Sequence, residues 1–178
     1  MRVISGKYRG RKIHPPQNLE LRPTTDFAKE ALFNILNNKI DWETCKVLDL
    51  FCGTGNILFE FISRDVESVK GIDINSKCIQ FINETLGDWN EILNGQAYKD
   101  DVFNYINKSN QKFDLIFADP PYDLPKLKEI PTLIFNKKLL NENGILVVEH
   151  GPDIAFFGYP NYKEQRKYGN VHFSFFEL

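Results

Sequence analysis

The 178-residue chain reads as an α/β protein built on an open, mostly parallel sheet that ends in an antiparallel hairpin. Three observations predict this. From Cys45 onward, apolar extended runs alternate with segments of helical spacing. Two of the runs, 112–118 and 144–150, are almost continuously apolar, as strands covered on both faces are. Finally, the runs 162–168 and 171–177 flank Gly169-Asn170, a pair suited to a tight turn between antiparallel strands.

Taken in order, Met1–Leu21 reads as short extended pieces broken by Gly6, Gly10 and Pro15-Pro16, which fits a hairpin. Thr24 or Thr25 can cap a following helix, with Asp26 well placed in its electropositive first turn. Ala28, Ala31, Leu32, Ile35 and Leu36 then give that helix an inward face. Strands are expected at 46–51, 68–73, 95–98, 112–118 and 144–150. Helices are expected at about 56–64, 76–87, 101–108 and 124–138, with 152–157 a further candidate. A basic N-terminal arm, 1–22, therefore precedes a globular unit, 23–178. Ligands of such sheets sit beyond the carboxyl ends of the strands.

Composition narrows the class. Hydrophobic content of 42% and charged content of 26% are those of an ordinary water-soluble domain. No apolar run approaches the ~18 residues of a membrane span, and residues 1–7 lack a signal peptide's apolar core. Cys45, Cys52 and Cys78 form no CxxC pair, so a reducing cytoplasm is expected. His14, His150 and His172 are too scattered in sequence to suggest a metal site. Charge is unevenly spread. Residues 1–22 carry Arg2, Lys7, Arg9, Arg11, Lys12 and Arg22 against Glu20 alone, a net +5, whereas the other 16 basic and 23 acidic residues give −7. A basic segment on an acidic body suits a polyanion, with a solvated surface hairpin as the plainer alternative.

Strand 46–51 runs into Gly53-Thr54-Gly55, and a helix begins at once. Two glycines let the backbone turn sharply and approach a ligand closely. Asp49 lies inside this otherwise apolar strand, where an unpaired carboxylate is costly. Asp73 ends the next apolar segment, placed to accept both hydroxyls of a ribose. Asp101 follows the third strand and can meet an adenine amine, with Asp100 an adjacent rival. A nicotinamide dinucleotide is disfavoured, because GxGxxG needs glycine where Leu58 stands. S-adenosylmethionine has no phosphate, and its cationic groups tolerate the nearby acids. Cys52 is read as a small loop residue, not a catalytic thiol.

A second loop, Asp119-Pro120-Pro121-Tyr122, drains the buried run Phe113–Ala118. Its prolines restrict themselves and the residues before them. The Asp119 carboxylate and Pro120 carbonyl can then form two fixed acceptors for an NH₂ group, while Tyr122 lies against a flat base. An exocyclic amine is a poor nucleophile, since its lone pair is delocalised into the ring. Two fixed acceptors favour a pyramidal nitrogen aimed at a methyl donor. Asp119, Pro120, Pro121 and Tyr122 are accordingly the catalytic candidates, with no metal expected. The plainer reading is a rigid turn with Tyr122 as packing.

These segments resemble the RsmD-like 16S ribosomal RNA guanine-N2 methyltransferases. The resemblance runs almost from Met1 to Leu178 and rests on Arg2–Arg11, on Arg22–Asp26 with the helix Ala31–Leu36, on the glycine loop and on Asp119–Tyr122. It implies a seven-stranded class I methyltransferase fold and methylation of one guanine amine in small-subunit RNA. By motif, Asp49, Gly53 and Gly55 would surround the donor's methionine portion, Asp73 its ribose and Asp101 its adenine. The segment around Thr24 would lie at the donor pocket, with Arg22 facing either donor or RNA. The remaining arm cations would meet RNA. Cys52 stands where relatives commonly have Ala, and Asn56–Phe59 where a Gly-containing segment is frequent, which leaves the methionine pocket's shape less defined. The expected partner is 16S ribosomal RNA, naked or in a partly assembled 30S subunit, bound by a monomer. Rival readings are a DNA adenine-amine methyltransferase, a protein-glutamine methyltransferase, and an RNA-binding module with a vestigial donor pocket.

Overall fold

The computed structural model describes residues 1–16, 19 and 25–178. Arg22 and Thr24 lie outside the described residues. Seven strands form one sheet in the order β3-β2-β1-β4-β5-β7-β6: β1 (Lys46–Leu50), β2 (Ser68–Asp73), β3 (Gly95–Lys99), β4 (Phe113–Ala118), β5 (Leu140–His150), β6 (Tyr162–Tyr168) and β7 (Val171–Glu177). The first five run parallel, while β7 pairs antiparallel with both β5 and β6. From β1 the chain steps outward to β2 and β3, then crosses back to β4 on the other side of β1 and continues to β5. The strand order therefore reverses between β1 and β4, where open α/β sheets split to admit a ligand.

Two apolar layers cover the sheet. One joins it to α1 (Asp26–Leu36), α2 (Leu58–Ser63) and α3 (Ser76–Asp88), with Leu32, Phe59, Phe61 and Ile82 at its centre. The other joins it to α4 (Val102–Lys108) and α5 (Ile130–Asn136), through Ile106, Ile130 and Ile134. Helix starts follow local chemistry. Thr25 caps α1 by accepting the Ala28 N–H, Asn75 caps α3, and Asp101 caps α4. Of the two threonines that suited a cap for α1, Thr25 is the one seen.

Three expected helices differ. The segment 56–64 narrows to Leu58–Ser63, because Asn56 and Ile57 complete the glycine turn. The segment 124–138 begins as a 3₁₀ turn at Leu127–Glu129, and α5 starts only at Ile130. Pro131 explains the late start, since proline lacks an N–H and fits only a first turn. Residues 152–157 form no helix. Gly151, Pro152 and Gly158 bracket a piece too short to nucleate one, and Phe156 instead drops into the second layer. Strand β5 also begins earlier than its apolar run, at Leu140, with an irregular register opposite Phe113 and Leu115.

The N-terminal arm closes as a narrow hairpin with one bridge, Arg2 to Lys12, and lies on α2. Val3 and Ile13 enter the core. Lys29 and Glu60 are fully buried and 3.0 Å apart. Lys29 Nζ also donates to the Arg2 carbonyl at 2.7 Å, while Glu60 accepts the Ile4 N–H at 2.7 Å and pairs with Arg64. At the hairpin tip, Gly6 has φ +83° and packs so closely on the Ser63 backbone that a Cβ there would collide with the Ser63 carbonyl. Among the described residues no helix is long and apolar enough to cross a membrane.

Candidate active site

The glycine loop is built by backbone geometry. Phe51, Gly53 and Gly55 all have positive φ (59°, 51° and 81°), which curls the chain at the tip of β1. A side chain at Gly55 would come within 2.9 Å of both Ile82 and Phe59, so glycine also lets the loop settle onto the core. Asp73, at the tip of β2, ties the two loops together. Its Oδ2 accepts the Gly53 N–H at 2.9 Å and its Oδ1 the Asn75 N–H at 2.8 Å. Asp101 accepts the Asn104 N–H at 2.9 Å, and Asp100 pairs with Lys108 at 2.5 Å. Both rivals for an adenine amine thus have a structural partner already.

Asp49 is the anomaly of the strand. It is 1% exposed, and its Oδ2 has no hydrogen-bond partner. Burial pushes its carboxyl well above the usual range and the charge of Asp73 adds to this, against a hydrogen bond from the Leu58 backbone N–H. An orphaned buried carboxyl oxygen beneath a glycine turn suits a cationic ligand group, as the ammonium of a methionine moiety is. The residues present therefore fit that part of S-adenosylmethionine. Cys52 is buried beside them with its thiol pushed up, first by burial and then by Asp49, so it is held as a neutral thiol.

The double-proline loop opens at the same edge. Leu50 of β1 pairs with Ala118 of β4, and the Asp119 N–H donates to the Leu50 carbonyl at 3.2 Å. Ala118 in turn pairs with Val148, so Asp119 and Glu149 follow side by side on neighbouring strands. Alternation puts Asp49, Asp119 and Glu149 on one face, that of Val47, Phe117 and Val147. Asp119 keeps some exposure at the rim. Burial of its carboxyl is still the largest cause of its raised pKa, followed by the charges of Glu149 and Asp49. Pro120 is buried and Pro121 exposed. The Tyr122 hydroxyl donates to Glu149 Oε1 at 3.0 Å, and its ring lies on Gly151.

Sequence reasoning did not single out Glu149. Its signal was a polar pair, Glu149-His150, ending an apolar run at the ligand-bearing edge. The histidines dispersed in sequence also come closer than expected. His150 and His172 are cross-strand partners with rings 5.7 Å apart. Both His150 nitrogens are occupied, by the Gly151 carbonyl and Ser174 Oγ, and His172 Nδ1 contacts Gln165.

The arm's cations are distributed along α2. Arg2, Lys7, Arg9, Arg11 and Lys12 are all exposed. Several nevertheless engage the fold. Arg2 pairs with Asp26 at 3.2 Å, and Lys7 with Asp65 at 2.6 Å and Glu91 at 2.7 Å. Arg11 stacks 4.5 Å above Trp89, which packs on Tyr8. Direction matters here. The open end of the hairpin reaches the glycine loop, where the Thr54 hydroxyl meets Met1 Sδ at 3.3 Å. The tip lies at Ser63 and Trp89, past the far ends of α2 and α3, toward the opposite edge of the sheet. Arg2 and Lys12 therefore flank the crevice, while Arg9 and Arg11 do not.

Comparison with known proteins accords with this architecture. YlbH of Bacillus subtilis (strain 168) is 35% identical over 157 residues, covering 86% of this chain and 84% of its own. Ribosomal RNA small subunit methyltransferase D of Buchnera aphidicola subsp. Baizongia pistaciae is 32% identical over 181 residues, covering 99% of this chain and 91% of its own. The solved structure of yhhF from Escherichia coli superimposes with a TM-score of 0.86 over 99% of this chain and 97% of that one, at 24% identity. The sheet order is that of the class I, Rossmann-like methyltransferase fold. Residues 1–177 match the family described as conserved hypothetical protein 95, and the chain belongs to that family, the RsmD-like methyltransferases.

Proposed function

We propose that the protein transfers a methyl group from S-adenosylmethionine to the exocyclic N2 amine of a guanine in 16S ribosomal RNA. One observation carries the reading: two chemically complementary loops leave adjacent strands at the switch point of the sheet, joined by the Asp119–Leu50 hydrogen bond. The family relationship, and the ribosomal RNA named for the Buchnera relative, support RNA as the substrate, and guanine as its base is what the RsmD-like resemblance implies.

On this reading Asp49, Gly53 and Gly55 hold the methionine portion of the donor, Asp73 its ribose, and Asp101 its adenine end. When bound, S-adenosylmethionine supplies an electrophilic methyl carbon. The chain's own residues do the rest. The target base leaves its stack to reach the rim. The Asp119 carboxylate and the Pro120 carbonyl accept the two amine hydrogens and aim the nitrogen lone pair, while Tyr122 stacks on the ring. Asp119 is also the nearest acceptor for the proton the nitrogen releases, and burial makes it a stronger base than a surface carboxylate. Positioning of this kind can contribute up to roughly 7–11 kcal/mol. Arg2 and Lys12 border the crevice, with Arg9 and Arg11 carrying a more distant RNA contact.

The test is a nucleoside map of small-subunit ribosomal RNA from cells with and without the gene, with tritiated-methyl transfer by the purified protein. Loss of one N2-methylguanosine, restored by the wild-type gene and not by Asp119→Ala, is expected. An unchanged map, or a clear preference for DNA in the transfer assay, overturns the assignment.

A further inference from the structure

Strand β5 brings an acid to the crevice that the loop motifs do not contain. Glu149 is 3% exposed and accepts the Tyr122 hydroxyl at 3.0 Å. The opposite support of the ring is Gly151, two residues further along the same chain. A Cβ at Gly151 would lie 2.9 Å from Tyr122 Cδ2 and 3.4 Å from Cε2, so the ring rests on glycine backbone. Glu149 follows Val148, the β5 partner of Ala118, and so stands beside Asp119, whose carboxyl feels its charge. Tyr122 is thus held at its outer end by a carboxylate and along its face by a residue with no side chain.

We propose that Glu149 is a positioning residue that, with Gly151 as floor, fixes the Tyr122 ring beside Asp119 and so sets the width of the slot the target base enters. The inference rests on the function proposed above for the Asp119–Tyr122 loop. Its logic is geometric. A tyrosine has two side-chain torsions, and anchoring its distal oxygen while its face is supported removes both freedoms. A hydrogen bond to a buried carboxylate is stronger than one between neutral groups. Without it the ring can turn across the slot, and an aromatic base meets a poorly placed platform.

The test uses the full-length protein and separates RNA from donor. Tyr122→Phe and Glu149→Leu each raise the KM for RNA, about three- to tenfold, as expected for one such hydrogen bond. Donor affinity by calorimetry stays within about twofold, since the bond lies on the base side of the crevice. The double variant is no worse than either single change, because both remove the same bond. Glu149→Gln keeps a carbonyl acceptor and recovers most of the loss. Gly151→Ala raises the same KM with both bonded side chains intact. Multiplicative effects, or Glu149→Gln as harmful as Glu149→Leu while Tyr122→Phe is silent, overturn the proposal. A second readout needs no turnover: in 3-fluorotyrosine-labelled protein, the Tyr122 fluorine resonance, assigned with Tyr122→Phe, shifts or broadens in Glu149→Leu and Gly151→Ala. An unmoved resonance overturns the positioning role. A wild-type protein that methylates no RNA overturns the function reading alone.

Discussion

Gly53 donates its backbone N–H to Asp73 at 2.9 Å, and this bond, with that from the Cys52 N–H to the Ile72 carbonyl at 3.1 Å, ties the tip of β1 to the tip of β2. It gives Asp73 a mechanical duty besides any contact with a ribose. Asp73→Ala is expected to weaken donor binding and to destabilise the fold by about 1–3 kcal/mol, the usual cost of leaving such groups unmatched. Calorimetric titration with S-adenosylhomocysteine and a thermal melt check both halves. Lost binding with an unchanged melt would assign Asp73 to the ligand alone.

Asp49 is expected to oppose stability in the donor-free protein. Its folded-state pKa is raised, first by burial and then by Asp73. The stability it permits is full below the ordinary carboxylate pKa and declines as pH rises through the elevated folded value. Asp49→Asn should therefore raise the melting midpoint at neutral pH by about 2–4 °C for each kcal/mol relieved. That gain should shrink toward pH 4, near the ordinary aspartate value of 3.8. The same change should weaken donor binding. Melts across pH, with and without S-adenosylhomocysteine, test the crossing of the two effects.

Asp119 should impose an acid limb on methyl transfer. Its carboxyl is raised by burial, Glu149 and Asp49, so protonation begins well above the range of a surface aspartate. A protonated Asp119 no longer offers the same acceptor, and kcat/KM should fall tenfold per pH unit below the limb. Removing one neighbouring charge by Glu149→Gln should move the limb to lower pH. A pH–rate profile flat from neutrality down to the ordinary carboxylate range would place the required group elsewhere.

The direction of the arm predicts a length effect in RNA. Arg9 and Arg11 lie toward the sheet edge opposite Asp119. Replacing both with alanine should weaken binding of a long ribosomal RNA fragment and lower its salt slope by about 0.7–0.9 for each phosphate no longer neutralised. A minimal stem-loop around the target should be nearly indifferent. Filter binding across salt with the two RNAs decides it, and equal weakening on both would show that the tip reaches the crevice after all.

Gly6→Ala should unseat the hairpin tip. The added carbon meets the Ser63 carbonyl, a backbone atom that cannot rotate away, at a position of φ +83°. Limited proteolysis should then cut within residues 5–10 at protease levels that leave the wild-type arm whole.

Much of this was legible from periodicity and punctuation. Continuous apolar runs gave β4 and most of β5, and Gly169-Asn170 marked the β6–β7 turn. What escaped depends on partners distant in sequence. Asp49 stands out as an acid inside an apolar strand and Asp119 as one just past another, whereas Glu149 becomes visible only when β5 lies beside β4. The pairing of Lys7 with Glu91 and the burial of Lys29 against Glu60 likewise join residues far apart in the chain. Charge counting treats Lys7 as available to a polyanion, although the fold already supplies two acids for it. Helix limits failed where proline chemistry was local and decisive, as Pro131 delays α5.

The Lys29–Glu60–Arg64 cluster makes the opening strand of the chain an internal part rather than an accessory. Ile4 supplies an N–H to Glu60, and Arg2 a carbonyl to Lys29, so cutting away the first dozen residues would strip hydrogen-bond partners from ions sealed off from water. Leaving a buried charged group short of such a hydrogen bond costs about 1–3 kcal/mol, a sizeable share of what holds an ordinary domain folded. Such a segment cannot be traded as a cassette between relatives without its matching helix, so arm and scaffold are bound to change together.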